Sequence, residues 1–354
     1  MGKLTEMDNQ YKDWISDVSK RFRQSQIRAA IRVNDEMLRF YWELGKELHD
    51  RKSRFSYGQN FYKTISHDLR QELPDVKSFS ETNLKYMQYF FEMYPEAANR
   101  PQAVDDFNES IVFCIPWGHQ RTILDKCKGN PQKALFFVNQ VLQNNWSRAV
   151  LLNFLDTDLY ERQGKAITNF KMTLPAVQSG LAQEITKDPY KFDFITLTQS
   201  YNERELKDAL MDNIQKFLLE LGNGFAFVGR EYRIEIGETE NFIDMLFYHI
   251  RLHCYVVVEV KITEFESSYA GQLGTYVVAV NHQLKTEQDT PTLGLLVCKS
   301  KDNVKAQYAL ESSSQPLGVS SYELSKLIPE DFKGSLPSIE EIENELQKEK
   351  NRNH

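Results

Sequence analysis

No stretch of this 354-residue chain approaches the roughly 20 consecutive apolar residues with which a helix crosses a bilayer, so no membrane-spanning helix is expected. The start, "MGKLTEMDNQYKDW", is polar and lacks the apolar core of a secretory signal. Its Met-Gly opening has Glu6 where an acylation signal wants Ser or Thr. Cysteine is scarce: Cys114, Cys127, Cys254 and Cys298 stand far apart with no C-x-x-C pair. That argues against a disulfide framework and a zinc site, and for a reducing cytoplasm. H-E-x-x-H, Walker and G-x-S-x-G motifs are all missing, so zinc-protease, P-loop and serine-hydrolase chemistries have no footing. His249 and His253 lie four apart in a short connection without a third ligand, and read as polar surface. Internal repeats and low-complexity tracts are absent as well.

What is present is an ordinary globular balance, 41% hydrophobic and 26% charged, in a chain long enough for two domains. The net charge of −7 discourages a polyanionic partner until its distribution is read. Residues 1–170 hold 24 Lys and Arg against 22 Asp and Glu, and residues 20–85 hold 14 against 9. The remainder holds 19 against 28. An acidic total leaves room for a local phosphate-binding face in the early segment.

Residues 11–165 read as almost wholly helical. Ile27, Ile31, Leu38, Trp42 and Leu48 recur near one helical stripe. A second helix over 58–72 stops before Pro74, and Ser80 caps a third that aligns Leu84, Met87 and Phe91. The joint "LPDVKSFS" makes this pair either a helix-turn-helix with the third helix as reader, or part of a plain bundle. Further helices are expected near 119–128, 131–143 and 147–163, with Trp117 and Trp146 as core anchors. "ITKDPYKFDFITLTQS" loses the helical period. The division expected is therefore a helical domain over 1–185, a linker over 186–200, an α/β domain over 201–330 and a charged tail over 331–354. The class is α+β. In the α/β part a helix through Leu206, Leu210, Ile214, Phe217 and Leu221 precedes strands near 225–236, 242–248 and 254–261. A helix near 266–283, a strand at 292–298, a helix near 303–311 and a strand near 317–322 follow. "GNGFAFVG" comes after a helix and before a strand, the wrong order for a dinucleotide loop.

The strand "VVVEVK" (256–261) is apolar enough to be buried on both faces, yet carries Glu259 and Lys261. Alternation puts those two on one face and Val258 and Val260 on the other. In the preceding strand Asp244 stands alone between Ile243 and Met245. A short connection makes the two strands an antiparallel hairpin, which brings Asp244 near Glu259. Two close carboxylates repel unless a cation or a shared proton compensates. A hard divalent metal does this well. A buried acid–lysine pair that merely holds the hairpin does it too, and spacing alone leaves both open.

Asp244, fifteen positions before an E-x-K strand, resembles the signature of the PD-(D/E)XK nuclease superfamily. Residues 219–262, "LELGNGFAFVGREYRIEIGETENFIDMLFYHIRLHCYVVVEVKI", together with "AGQLGTYV" and "ERQGKAITNF", resemble the YhcG-type nucleases over nearly the whole chain. The resemblance implies a restriction-endonuclease-like domain with an αβββαβ core. It implies Asp244 and Glu259 as ligands of Mg2+, or of Mn2+ in its place, with the Val260 carbonyl as a further ligand. Lys261 would orient or activate the attacking water and stabilise transition-state charge. An added acid on the helix before the sheet would be Glu203, with Glu205 its competitor; either also suits a first helical turn as a solvated acid. Gln272 and Tyr276 resemble a Q-x-x-x-Y element that contacts nucleic acid or the active site, though the same pair suits an ordinary helix. Ile243 departs from the motif, which often has proline there. The function implied is Mg2+-dependent hydrolysis of phosphodiester bonds in DNA, in a restriction, recombination or repair setting. A homodimer or higher oligomer is expected, with restriction or repair proteins as partners. The rival is a non-catalytic adaptor using the same fold to bind nucleic acid or assemble a complex.

Overall fold

The protein, seen in a computed structural model, is described over residues 2–54, 60–97 and 111–328. It divides into two compact units between Tyr160 and Glu161. The tail expected over 331–354 lies outside the described residues.

The first unit is all helical: α1 (Gly2–Arg54), α2 (Phe61–Glu72), α3 (Glu81–Met93), α4 (Trp117–Lys126), α5 (Pro131–Asn144), α6 (Arg148–Asp156) and α7 (Leu159–Arg162), which spans the division. Side-chain caps set several starts. Ser80 accepts the Asn83 N–H at 3.2 Å, and Asn130 accepts that of Lys133 at 2.9 Å just before Pro131 opens α5. The core joins Leu38, Trp42 and Leu48 of α1 to Leu84, Met87 and Phe90 of α3 and to Phe137 and Phe154. Gly45 permits the α1–α3 approach, since a Cβ there would collide with the Met87 carbonyl. Trp42 donates to the Tyr94 carbonyl at 2.9 Å and Trp117 to Asn83 Oδ1 at 2.8 Å, while Trp146 stacks on Phe154. These three tryptophans are packing residues. Two expectations shift. The helix over 147–163 is interrupted where Asp158 takes a left-handed φ of 54°. Ile31 does not continue the buried stripe and is exposed, and the Ile27 side chain lies outside the described set.

The second unit runs β1 (Ile167–Thr168), α8 (Phe170–Thr173), α9 (Ala176–Glu184), β2 (Tyr190–Lys191), β3 (Leu197–Thr198), α10 (Glu203–Asp212), α11 (Ile214–Leu221), β4 (Phe225–Ile236), β5 (Thr239–His249), β6 (Cys254–Glu264), α12 (Ser267–Gln283), β7 (Leu293–Ser300), α13 (Asn303–Glu311), β8 (Leu317–Glu323) and β9 (Leu327–Ile328). The main sheet orders β1-β8-β7-β6-β5-β4, with β2 also on β8. β4, β5 and β6 pair antiparallel, while β6, β7 and β8 pair parallel. Helices cover both faces. Val256, Val258 and Val260 share a core with Leu206, Leu210 and Phe217, and Val257 and Leu296 share the other with Leu273, Val277 and Leu310. This is the expected α+β class with the αβββαβ order, and it explains why β6 reads as an unbroken apolar run.

The domain boundary moves. Residues expected as the end of the helical domain and as a linker belong to the second unit, because β1 and β2 pair with β8. Asp188 fastens the same segment, accepting the Ser321 N–H at 2.9 Å and pairing with Lys301 at 2.5 Å. Strands of two residues leave no period in a sequence, which is why the segment looked like a linker. Asn213 likewise splits the single helix expected over 203–221 into α10 and α11.

A buried ion pair locks that segment to α11. Arg162, 3% exposed, meets the Glu220 carboxylate, 5% exposed, with Nη2 to Oε2 at 3.1 Å. Glu220 also accepts the Lys191 N–H at 2.9 Å. Beside it the Lys187 ammonium donates to the carbonyls of Glu220 and Leu221, satisfying the open end of α11, and burial pulls its pKa down to about 8. Removing one partner of such a pair strands the other charge in the core. Arg162→Ala should therefore destabilise the second unit by about 3–5 kcal/mol, read as a lowered urea midpoint. An unchanged midpoint would show the pair to be dispensable.

Candidate active site

β5 and β6 pair regularly from His249↔Cys254 to Met245↔Val258, and there the ladder stops. One residue further, side chains replace the main chain. The Asp244 N–H donates to Glu259 Oε1 at 3.0 Å, and the Val260 N–H donates to Asp244 Oδ2 at 3.0 Å. Each carboxylate thus takes a backbone donor from the opposite strand. β6 stays in register with β7 on its other side, through Glu259↔Leu296, Val260↔Val297 and Lys261↔Cys298. The acids are anchored to the sheet on one side and open a gap on the other.

Glu259 is 3% exposed. Burial first, and then the neighbouring Asp244 charge, push its carboxyl up to about 7, against the Asp244 N–H and the two lysines nearby. α10 supplies the rest. Asn202 and Glu205 form a reciprocal capping box, with Asn202 Oδ1 accepting the Glu205 N–H at 2.9 Å and Glu205 Oε2 accepting the Asn202 N–H at 3.0 Å. That ties Glu205 to the helix start and leaves Glu203 facing the acids. Glu203 Oε1 lies 2.7 Å from Lys207 Nζ and 3.5 Å from Lys261 Nζ. Lys207 also grips Asp244 Oδ1, and Lys261 lies 3.6 Å from Glu259 Oε2. Three acids and two lysines therefore interlock, with one negative charge in excess when all are ionised. Burial alone would lower the pKa of Lys261, but Glu259, Asp244 and Glu203 outweigh it, and the ammonium is held above its usual range. Lys207 is raised in the same way, with Asp244 and Glu203 overcoming burial.

The structure gathers Asp244, Glu259, Val260, Lys261 and Glu203 in one place. Gln272 stands apart from them in its hydrogen bonding: its Nε2 donates to Tyr276 Oη at 2.9 Å on α12, and Tyr276 is part of the core. Lys207 was not foreseen, although its position four residues after Glu203 on α10 was a readable signal. The capping pattern N-x-x-E over 202–205 likewise separated Glu205 from Glu203. His249 is a correction. Rather than polar surface it is buried, its Nδ1 accepts the Leu252 N–H at 3.2 Å, and burial pulls its pKa down to about 4. Among the described residues no three or more His, Cys, Asp and Glu side chains are arranged ready to hold a metal ion. The donors that do converge are all oxygens, the set that suits a hard divalent cation, and their excess negative charge is of the sign such a cation would offset.

Residues 183–337 match the YhcG PDDEXK nuclease domain and residues 17–162 match the DUF1016 N-terminal domain. The protein YhcG of Escherichia coli (strain K12) is 27% identical over 322 residues, covering 82% of this chain and 84% of that one. Among solved structures, a repair endonuclease from Pyrococcus abyssi is 18% identical with a TM-score of 0.25, covering 36% of this chain and 49% of the other. The EndoMS-dsDNA2 complex is 21% identical with a TM-score of 0.26, covering 36% and 45%. The chain thus spans about half the length of these solved proteins or less, at a likeness too slight to carry function. Both parts of the chain are therefore matched in order, an N-terminal part similar to the DUF1016 N-terminal domain and a C-terminal part similar to the YhcG nuclease domain of the PDDEXK type.

Proposed function

We propose that this protein is a metal-dependent endonuclease hydrolysing phosphodiester bonds in DNA, in a restriction, recombination or repair setting. The observation that carries the reading is the exchange of backbone donors between Asp244 and Glu259 with Lys261 beside them. Asp244, Glu259 and the Val260 carbonyl would hold Mg2+ or Mn2+, with Glu203 at the margin. Bound there, the ion would supply Lewis-acid charge and a water of lowered pKa. The remaining work falls to the chain's own groups. Lys261 stays an ammonium through neutral pH, so its task is to orient water and hold charge at the phosphate rather than to accept a proton. Lys207 already meets Asp244 and Glu203, and so holds the acids together when no divalent ion is present.

That same grip favours a second reading. An acid cluster satisfied by lysine needs no metal, as in a non-catalytic adaptor or nucleic-acid-binding protein of a restriction or repair complex. Titration with Mn2+ separates the two. The parent should bind, Asp244→Asn should lose binding, and Lys207→Met should bind more tightly because its competing ammonium is gone. Equal binding by parent and Asp244→Asn would remove that residue from the metal set.

Lys261→Met keeps much of the side-chain volume and loses the charge. In Mg2+ the variant should stay folded and bind DNA near normally, while cleavage falls at least a hundredfold, about 2.7 kcal/mol of barrier. Cleavage at the parent rate would refute the catalytic role. A parent that cuts no DNA form in either metal would favour the adaptor.

Phosphate contacts in the first unit are assigned to the exposed face of α2 that presents Lys63, His67 and Arg70. Lys63→Glu with Arg70→Glu in the full chain should weaken DNA binding and flatten its salt dependence by roughly two counterions' worth of slope. An unchanged slope would make this unit a protein-binding bundle.

A further inference from the structure

From Tyr11 to Val33 every described side chain of α1 is exposed, whereas Leu38, Tyr41, Trp42 and Leu48 further along the same helix are buried. The exposed part is not polar all round. Tyr11 is 60% exposed, Trp14 57%, Ile15 40%, Val18 38% and Phe22 63%. Tyr11, Ile15, Val18 and Phe22 are spaced four, three and four residues apart, the spacing of a coiled-coil seam, and Trp14 flanks it. A helical stretch that buries nothing is marginal in water, and three aromatic rings left on one face make it an interaction site rather than a solvated arm.

The charges say which partner fits. Residues 1–17 carry four acids and two bases by sequence, while residues 18–33 carry five bases and no acid. The seam straddles that change of sign. A second copy of the same helix running antiparallel sets each acidic half against a basic half. A parallel copy would oppose like charges along the basic stretch. We infer that residues 11–22 of α1 form a self-association surface, on which a second copy of this chain packs antiparallel about a two-fold axis near Ser16 and Asp17. Ile15 then faces Val18 of the second copy, and Tyr11 faces its Phe22. Six aromatic rings enter such a contact, each carrying about 150–250 Å2 of surface, more than half of it open in the single chain. With the aliphatic pairs added, the contact approaches the roughly 1,200 Å2 of a specific interface.

Sedimentation of the full-length chain at micromolar concentration tests this. The parent should run at twice the monomer mass, and Ile15→Asp with Phe22→Asp should halve that mass. The thermal midpoint of the folded units should be unchanged, because Ile15 and Phe22 are exposed in the single chain. A monomeric parent, or a double variant of undiminished mass, would overturn the proposal. Orientation is read by disulfide cross-linking in a Cys114→Ser background, the other three cysteines being buried. Mixing Tyr11→Cys with Phe22→Cys should give a covalent dimer that neither gives alone. Cross-linking of each variant with itself, and not in the mixture, would overturn the antiparallel arrangement.

Discussion

Two carboxylates held side by side in a nearly water-free part of the sheet form the constraint on which the second unit depends. Asp244 and Glu259 raise each other's energy, and burial adds to it. Three features hold them there. Each takes a backbone N–H across the gap, each faces an ammonium, and the strand bearing Glu259 is pinned on its other side by the parallel ladder to β7. Past Met245 and Val258 the β5–β6 pairing ends, and the Asp244 and Val260 N–H groups are taken by the two carboxylates instead. The end of the pairing is what makes the site.

That arrangement needs a rigid support, and the rest of the unit provides it. The parallel strands β6, β7 and β8 are buried on both faces by α10 and α11 on one side and by α12 and α13 on the other. The segment over 161–200 closes the free edge of β8 through β1 and β2. Arg162 with Glu220, and Lys187 at the end of α11, tie that segment to the helix pair that carries Glu203 and Lys207. Charges in the core of the unit thus bind the segment that covers the sheet edge to the helices over the site.

Much of this was legible in the residues. Isolated acids in apolar strands are costly, so Asp244 and Glu259 stood out, and alternation set Lys261 beside Glu259. Long periodic elements such as β4–β6, α12 and α5 were also readable, because a burial period repeats often enough to register. What escaped was short or many-partnered. β1 and β2 are two-residue strands with no period to read. Lys207 is an ordinary helical lysine until its reach to Asp244 is seen. Gln272 and Tyr276, paired by their spacing in the sequence, meet through a hydrogen bond on α12. His249 was judged by its neighbours in a turn, although it sits at the buried end of β5 where Phe225 packs against its ring.

On the proposed function the substrate is a polyanion. Residues 171–354 hold 19 bases against 28 acids, which on average repel a phosphate backbone. Attraction must then come from discrete cations rather than from the overall field. Lys261 and Lys207 are bound to acids in the site, so they are preorganised but largely neutralised, and serve chemistry or restraint better than capture. Lys63 and Arg70 on α2 line an open surface groove in a segment with a basic excess, which suits them to capture. The basic run over 18–33 is different again, since Arg21 pairs with Asp17 at 2.9 Å and the apolar stripe lies beside it. In the antiparallel pairing that run is matched by acids of the second copy. On the proposed function and the proposed self-association, capture, chemistry and dimer contact would draw on three separate groups of cations, so that loss of one would leave the other two in place.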